Sequence, residues 1–197
     1  MSAIRSILLI VLVIFLVGIV ASWVIFISLN NRNAARPEAV AAMESDESVR
    51  VSQADGEDWI VFMPEGQSAT TGYIIYPGGF IDPVAYAPIA RAIAERGYLT
   101  VIDPMPLNLA VLGLEGADDI IAGFPSISAW GIGGHSLGGA MAAEYTYRNP
   151  DAISGLALWA AYPSDNSDLS DEEIEAVSIY GDADGVASVV DVLNGAE

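Results

Sequence analysis

Between Gly131 and Ala140 the chain reads G-I-G-G-H-S-L-G-G-A, a run that few backbone paths can accommodate. The apolar stretch Ala129–Ile132 leads into it. The Ala-rich, helix-forming Leu137–Arg148 follows and stops at Asn149-Pro150. A serine between a strand and a helix must stand on a sharp turn, in a strained backbone conformation, so that its hydroxyl projects above the sheet. Side chains two positions before and two after it would collide across that turn. Gly134 and Gly138 occupy those positions, and Gly139 and Ala140 let the helix lie close to the strand. Gly134-His135-Ser136-Leu137-Gly138 therefore has the form of a nucleophile elbow, with Ser136 the candidate nucleophile and His135 a packing residue beside it. The start of the helix presents the Leu137 N–H, and the positive end of its dipole, to any oxyanion formed at Ser136.

The segments around this turn alternate in kind. Short strands are predicted at Val49–Gln53 and Trp59–Met63, joined by a turn at Ala54-Asp55-Gly56. Near-continuous apolar runs follow at Gly72–Tyr76, Tyr98–Asp103, Ile153–Trp159 and Ala176–Tyr180. Between them lie helical patterns: one through Ile89, Ala90 and Ile93 closed by Gly97, stretches around Asn108–Leu112 and Ala117–Gly123, and a last helix from Val186 to Leu193. Uniformly apolar strands alternating with helices predict an α/β fold, a mostly parallel sheet covered by helices on both faces.

Ile7–Leu29 contains 23 residues without a charge, enough to cross the hydrocarbon of a bilayer as a helix. The run is too long for the apolar core of a cleaved signal peptide, and no Ala-x-Ala site follows it directly. It has no polar stripe, which argues against a core helix. The expected organisation is a membrane anchor at 1–36 with its transmembrane helix at about 7–29, a polar acidic tether at 37–58 with a short helix at Glu38–Met43, and an α/β domain at 59–197. Arg5 on one side and Arg32 and Arg36 on the other nearly tie the positive-inside count; a single pass with the domain on the extracytoplasmic side is the expectation.

Charge excludes several classes of function. All 26 carboxylates lie in residues 37–197 against four arginines, a net −22, and the chain has no lysine. Four arginines cannot build a basic face, so nucleic acid is excluded as a partner. With no cysteine there is no disulfide, thiol nucleophile or thiolate metal site. No metal-ligand cluster is apparent, and Gly131-x-Gly133-Gly134 lacks the spacing and the lysine of a phosphate loop, so no cofactor is expected. The acids gather in stretches such as Asp165–Glu175, a solvated coat suited to high salt or to repulsion from anionic lipid.

Five segments together are more specific than any one: Tyr76–Tyr98 (YPGGFIDPVAYAPIARAIAERGY), Asp103–Val111, Gly133–Ala143 (GGHSLGGAMAA), Leu156–Pro163 and Ser178–Gly185. In these the sequence resembles the α/β-hydrolase superfamily, in particular a dienelactone-hydrolase-like group of membrane-anchored microbial members, over roughly Trp59–Gly185. The resemblance implies a serine hydrolase (EC 3) that cleaves a carboxylic ester or related acyl bond of a small molecule through an acyl-enzyme. It implies a second oxyanion donor in Pro77-Gly78-Gly79-Phe80, the Gly79 N–H, with Phe80 the alternative. It implies a triad acid after the seventh strand, Asp184 in preference to Asp182, to accept the Nδ1–H of a histidine. A calcium loop fails as a reading of Asp182–Gly185, because Val186–Asn194 offers only Asp191 as a further acidic ligand. Phe80, Met105, Leu107, Leu109, Trp159 and Tyr162 are candidates for an apolar acyl pocket, and equally ordinary as loop and core residues.

The chain departs from the superfamily at the base. Its one histidine, His135, precedes the nucleophile, and adjacent side chains at an elbow diverge. In the superfamily the catalytic histidine follows an eighth strand beyond the acid, and residues 185–197 contain none. The expectation is a sequence that stops short of the last strand and helix, nearly inactive as it stands. The alternative is a catalytically inactive hydrolase fold serving as a membrane-tethered binding or interaction module.

Overall fold

Consecutive side chains in the central strands point to opposite faces of the sheet, and both faces are covered. Ile74 joins a buried cluster with Leu99, Val101, Ile132 and Leu156, while its neighbour Ile75 joins another with Phe62, Ile102, Ala87 and Ala90. Two-sided burial is the reason these strands read as unbroken apolar runs. The computed structural model describes residues 2–53, 58–170 and 172–195, so the turn expected at residues 54–56 lies outside them.

The chain divides into two units, Met1–Ala34 and Ala35–Glu197. The first contains one helix, α1 (Ser2–Arg32), which from Ser6 to Arg32 is long and apolar enough to cross a membrane. Ile7, Leu8, Leu9 and Ile10 span a full turn of it and are all exposed. Near its end the rings of Trp23 and Phe26 stack 5.6 Å apart.

The second unit is built on a seven-stranded sheet of β1 (Val49–Gln53), β2 (Ile60–Pro64), β3 (Thr71–Tyr76), β4 (Leu99–Ile102), β5 (Ala129–His135), β6 (Gly155–Trp159) and β7 (Glu175–Ile179). Their order in space is β1-β2-β4-β3-β5-β6-β7. The pairs β1–β2 and β2–β4 are antiparallel and all the others are parallel. The sheet is thus the mostly parallel one expected, with an antiparallel margin at the early strands. Ile74 lies between Val101 and Ile132 in the register, and Gly133 between Ile75 and Ala157. Helix α3 (Ala87–Ala94) covers the face of Ile75, and α4 (Gly116–Gly123) and α5 (Leu137–Arg148) cover that of Ile74.

Within residues 37–58, helix α2 (Pro37–Ala41) buries Ala39, and β1 buries Val49. Arg91 of α3 holds this stretch, donating to the carbonyls of Ala42 and Glu44 and pairing with Asp46 at 2.8 Å. Three local expectations shift. The stretch 108–112 is two 3-10 turns, Pro106–Asn108 and Ala110–Leu112, because Leu107 and Asn108 take positive φ and interrupt a helix. The last helix, α6 (Val189–Asn194), starts three residues later than expected. Ser188 caps it by accepting the Asp191 N–H and donating to the Asp191 carboxylate. Strand β5 runs on to His135, with consequences for the site below.

Ile132 is fully buried at the centre of the sheet, so Ile132→Ala should cost about 2–5 kcal/mol in urea unfolding. Val190→Ala, on the exposed side of α6, should cost less than about 0.5 kcal/mol. Equal unfolding midpoints for the two variants would contradict this account of the core.

Candidate active site

Strand β5 extends past Ile132 because both neighbours extend with it: Gly134 pairs with Tyr76 of β3, and His135 with Trp159 of β6. Ser136 is the next residue, its N–H still donating to the Trp159 carbonyl at 2.9 Å. Its φ of 52° and ψ of −123° then turn the chain directly into α5. A non-glycine residue held there costs on the order of 1–3 kcal/mol, and it persists only where the surroundings over-determine it. Here they do. A Cβ on Gly134 would lie 2.5 Å from the Tyr76 carbonyl oxygen, and one on Gly138 would strike the carbonyl oxygens of Tyr76 and Pro77. A Cβ on Gly139 would sit 2.5 Å from that of Ala161. Strand, turn and helix are therefore in backbone contact, and the half-buried Ser136 carries a hydroxyl with no hydrogen bond among the described residues.

The loop after β3 lies against this turn. The Gly78 N–H donates to Tyr86 Oη at 2.8 Å, and the Phe80 N–H donates to the Asn108 carbonyl at 2.7 Å. Phe80 itself has a φ of 58°. Among the described residues the N–H groups of Gly79 and Leu137 make no hydrogen bond. They belong to neighbouring residues: a Cβ on Gly79 would be 3.2 Å from Leu137 Cδ2 and 3.8 Å from its Cβ. Of the two alternatives for a second donor, Phe80 has its N–H committed and Gly79 does not.

Asp184 is half-buried in the turn after β7, and its Oδ1 accepts the N–H groups of Val186 at 2.8 Å and Ala187 at 3.1 Å. Asp182 is exposed. Burial pushes the His135 imidazole below its ordinary pKa range, and the Asp184 carboxylate opposes that shift. His135 points its Nδ1 at Tyr86 Oη, 3.1 Å away, and makes no hydrogen bond to Ser136 among the described residues.

Of the residues considered for an acyl pocket, Phe80 directly follows Gly79 and Leu109 lies beside it, its Cδ2 3.9 Å from a Cβ position on Gly79. Leu107 is exposed on the same loop. Met105 is buried in the core beneath it, and Trp159 lies 6.4 Å from both Tyr73 and Tyr86 with stacked rings. Tyr162 packs beside Gly195. A cavity of about 520 Å³ opens elsewhere, between Leu156, Leu158, Ser164, Asp168, Leu169 and Asn194, and no proposed site residue lines it. Sequence reasoning missed Tyr86 and the Asn108 carbonyl. Tyr86 ends a 3-10 turn (Pro83–Tyr86) started by Asp82, whose Oδ1 accepts the Val84 N–H. The Asp82-Pro83 start was visible in the sequence, but the reach of the tyrosine three residues later was not. No group of His, Asp and Glu able to hold a metal occurs among the described residues.

A model of the alpha/beta hydrolase family matches residues 72–197. No curated protein matches the chain significantly. Among solved structures, a cold-adapted esterase from an Arctic intertidal metagenomic library is similar at TM-score 0.53 and 16% identity, over 77% of this chain and 79% of that one. TT1662 from Thermus thermophilus is similar at TM-score 0.58 and 12% identity, over 75% of this chain and 81% of that one. At such identities the likeness is one of fold.

His135 is the chain's only histidine, so its ring can be followed alone by NMR. It should titrate below 6.5, and Asp184→Asn, which removes the opposing charge, should lower the midpoint further. Because the unfolded chain takes up the proton first, this group's contribution to stability should fall as pH drops below about 6.5 and level off below the folded midpoint. A midpoint above 6.5 would contradict the burial seen here.

Proposed function

Because the chain belongs to the alpha/beta hydrolase family, we propose that it is a serine hydrolase of carboxylic esters or related acyl bonds (EC 3), of the membrane-anchored, dienelactone-hydrolase-like kind its motifs resemble. One observation carries the reading. Ser136 stands at positive φ between strand and helix with its hydroxyl unengaged, and the N–H groups of Leu137, the next residue, and of Gly79, which packs against Leu137, have no partner among the described residues. The fold likeness to an esterase supports a small-molecule ester as substrate.

In this reading Ser136 Oγ bonds to the carbonyl carbon while its proton passes to a base, and the Leu137 and Gly79 N–H groups hold the oxyanion. The C–O bond to the alcohol then breaks, the alcohol leaves with that proton, and water hydrolyses the acyl-enzyme. Asp184 orients the base, keeping Oδ2 for its Nδ1–H while Oδ1 accepts backbone amides. The resemblance implies that this base is a histidine, and His135 does not fill that place. His135 Nδ1 is engaged with Tyr86, and its ring makes no hydrogen bond to Ser136 among the described residues. Helix α1 is read as a single-pass anchor within residues 1–36. Residues 37–58, expected as a tether before a hydrolase domain at 59–197, add α2 and β1 to that domain, which is read as lying on the extracytoplasmic side. The engaged histidine equally favours a second reading, an inactive hydrolase fold that binds rather than cleaves.

A fluorophosphonate probe separates the two. It should label the chain extended by a histidine-bearing carboxyl-terminal segment from its own gene, at Ser136, and Ser136→Ala should abolish labelling. The 197-residue chain should hydrolyse nitrophenyl esters on the order of 10⁶-fold more slowly than the extended one, the scale of losing the triad histidine. Labelling that survives Ser136→Ala, or equal rates for the two chains, would overturn the reading.

A further inference from the structure

His135 is a half-buried imidazole adjoining the proposed nucleophile without a hydrogen bond to it, and its hydrogen bonding shows what it holds instead. Tyr86 Oη accepts the Gly78 N–H at 2.8 Å, so its own proton remains to be donated, and the atom 3.1 Å away is His135 Nδ1. A neutral imidazole with its proton on Nε2 accepts there. Burial favours that neutral form. The Tyr86 ring has little freedom to swing, being buried among Ala87 and Ala90 and stacked on Trp159, which in turn stacks on Tyr73. Gly78 itself rests on the histidine: a Cβ there would fall 2.7 Å from His135 Nδ1 and 3.1 Å from the His135 carbonyl oxygen. On the other side of Gly79, the Phe80 N–H is tied to Asn108 at 2.7 Å. Gly79 is thus suspended between two anchored neighbours, and one anchor runs through Tyr86 to the residue preceding Ser136.

We propose that His135 and Tyr86 are positioning residues that fix the Gly79 N–H as an oxyanion donor, by a chain of hydrogen bonds from Gly78 through the tyrosine hydroxyl to the imidazole. The inference rests on the serine-hydrolase reading of the site and deepens it. Histidine at 135 then serves as the acceptor that orients the tyrosine hydroxyl, and it takes no proton from Ser136. Removing an oxyanion donor outright costs about 10²–10³ in rate, and misplacing a group by 1 Å can cost about 10². Breaking this chain should fall at or below the lower figure.

The test is the inactivation of the extended, histidine-bearing chain by a fluorophosphonate, with the maximal rate and the half-saturating concentration measured separately. Tyr86→Phe and His135→Leu should each lower the maximal rate about 10- to 100-fold, with half-saturation changed less than about threefold. His135→Asn places an amide oxygen near the position of Nδ1 and should recover most of the rate. The Tyr86→Phe/His135→Leu double variant should be no slower than the slower single, because both break one chain. Wild-type rates in His135→Leu, or no recovery in His135→Asn, would overturn the proposal while leaving the serine-hydrolase reading intact. No labelling of the unsubstituted extended chain would overturn that reading, and this inference with it. Should the leucine variant fail to fold, the ¹⁵N spectrum of the single imidazole in the unsubstituted protein decides. A pyridine-like Nδ1 with a protonated Nε2 supports the chain of bonds, and a protonated Nδ1 overturns it.

Discussion

The backbone contact between the end of β3 and the turn after β5 governs the rest of the site. The carbonyl oxygens of Tyr76 and Pro77 occupy the space that side chains at 134 and 138 would need. Parallel pairing through Tyr76–Gly134 on one side and Trp159–His135 on the other brings β5 to that contact in register. Once there, the chain can enter α5 only through the left-handed conformation at Ser136, whose cost of about 1–3 kcal/mol is borne by the cooperative packing of three strands and a helix. The unbonded hydroxyl, the bare helix N-terminus and the proximity of the β3 loop all follow from this one approach.

Polar satisfaction then selects which atoms remain available for chemistry. In a compact fold nearly every backbone N–H finds a partner. Around the elbow Gly78 is bonded to a tyrosine, Phe80 to a carbonyl and Ser136 to the neighbouring strand. Against those, the unbonded N–H groups of Gly79 and Leu137 stand out, because the two residues pack against each other and Leu137 directly follows Ser136. Leu137 is bare because the first turn of any helix leaves its amides without intrahelical acceptors. Gly79 is bare because both of its neighbours are tied down elsewhere.

Much of this was legible in the amino-acid order, and the reason is local. Glycines at 134, 138 and 139 around one serine answer to contacts of a single turn, and apolar runs such as Tyr73–Tyr76 record burial on both faces of a sheet. Helix α5 matched its expected bounds because Leu137 follows the turn and Asn149-Pro150 closes it. What the order of residues did not disclose depends on distant partners. The extension of β5 to His135 needs the matching lengths of β3 and β6. The positive φ at Leu107 and Asn108 accompanies the Asn108 carbonyl bond to Phe80, 28 residues earlier in the chain. Tyr86 reaches a histidine 49 positions away, a pairing no periodicity announces. Met105 illustrates the converse, since an apolar residue after a strand serves core and pocket equally well in sequence, and here it lies in the core.

The central claim is that the contact at Gly134 and Gly138 aims Ser136 at two waiting amides. A crystal structure of the chain carrying a covalent phosphonate at Ser136 tests it most directly. The account predicts a phosphoryl oxygen about 2.7–3.1 Å from both the Gly79 and Leu137 nitrogens, with Ser136 still at positive φ. A phosphoryl oxygen bonded instead to the Phe80 N–H, or a Ser136 relaxed to negative φ, would contradict it.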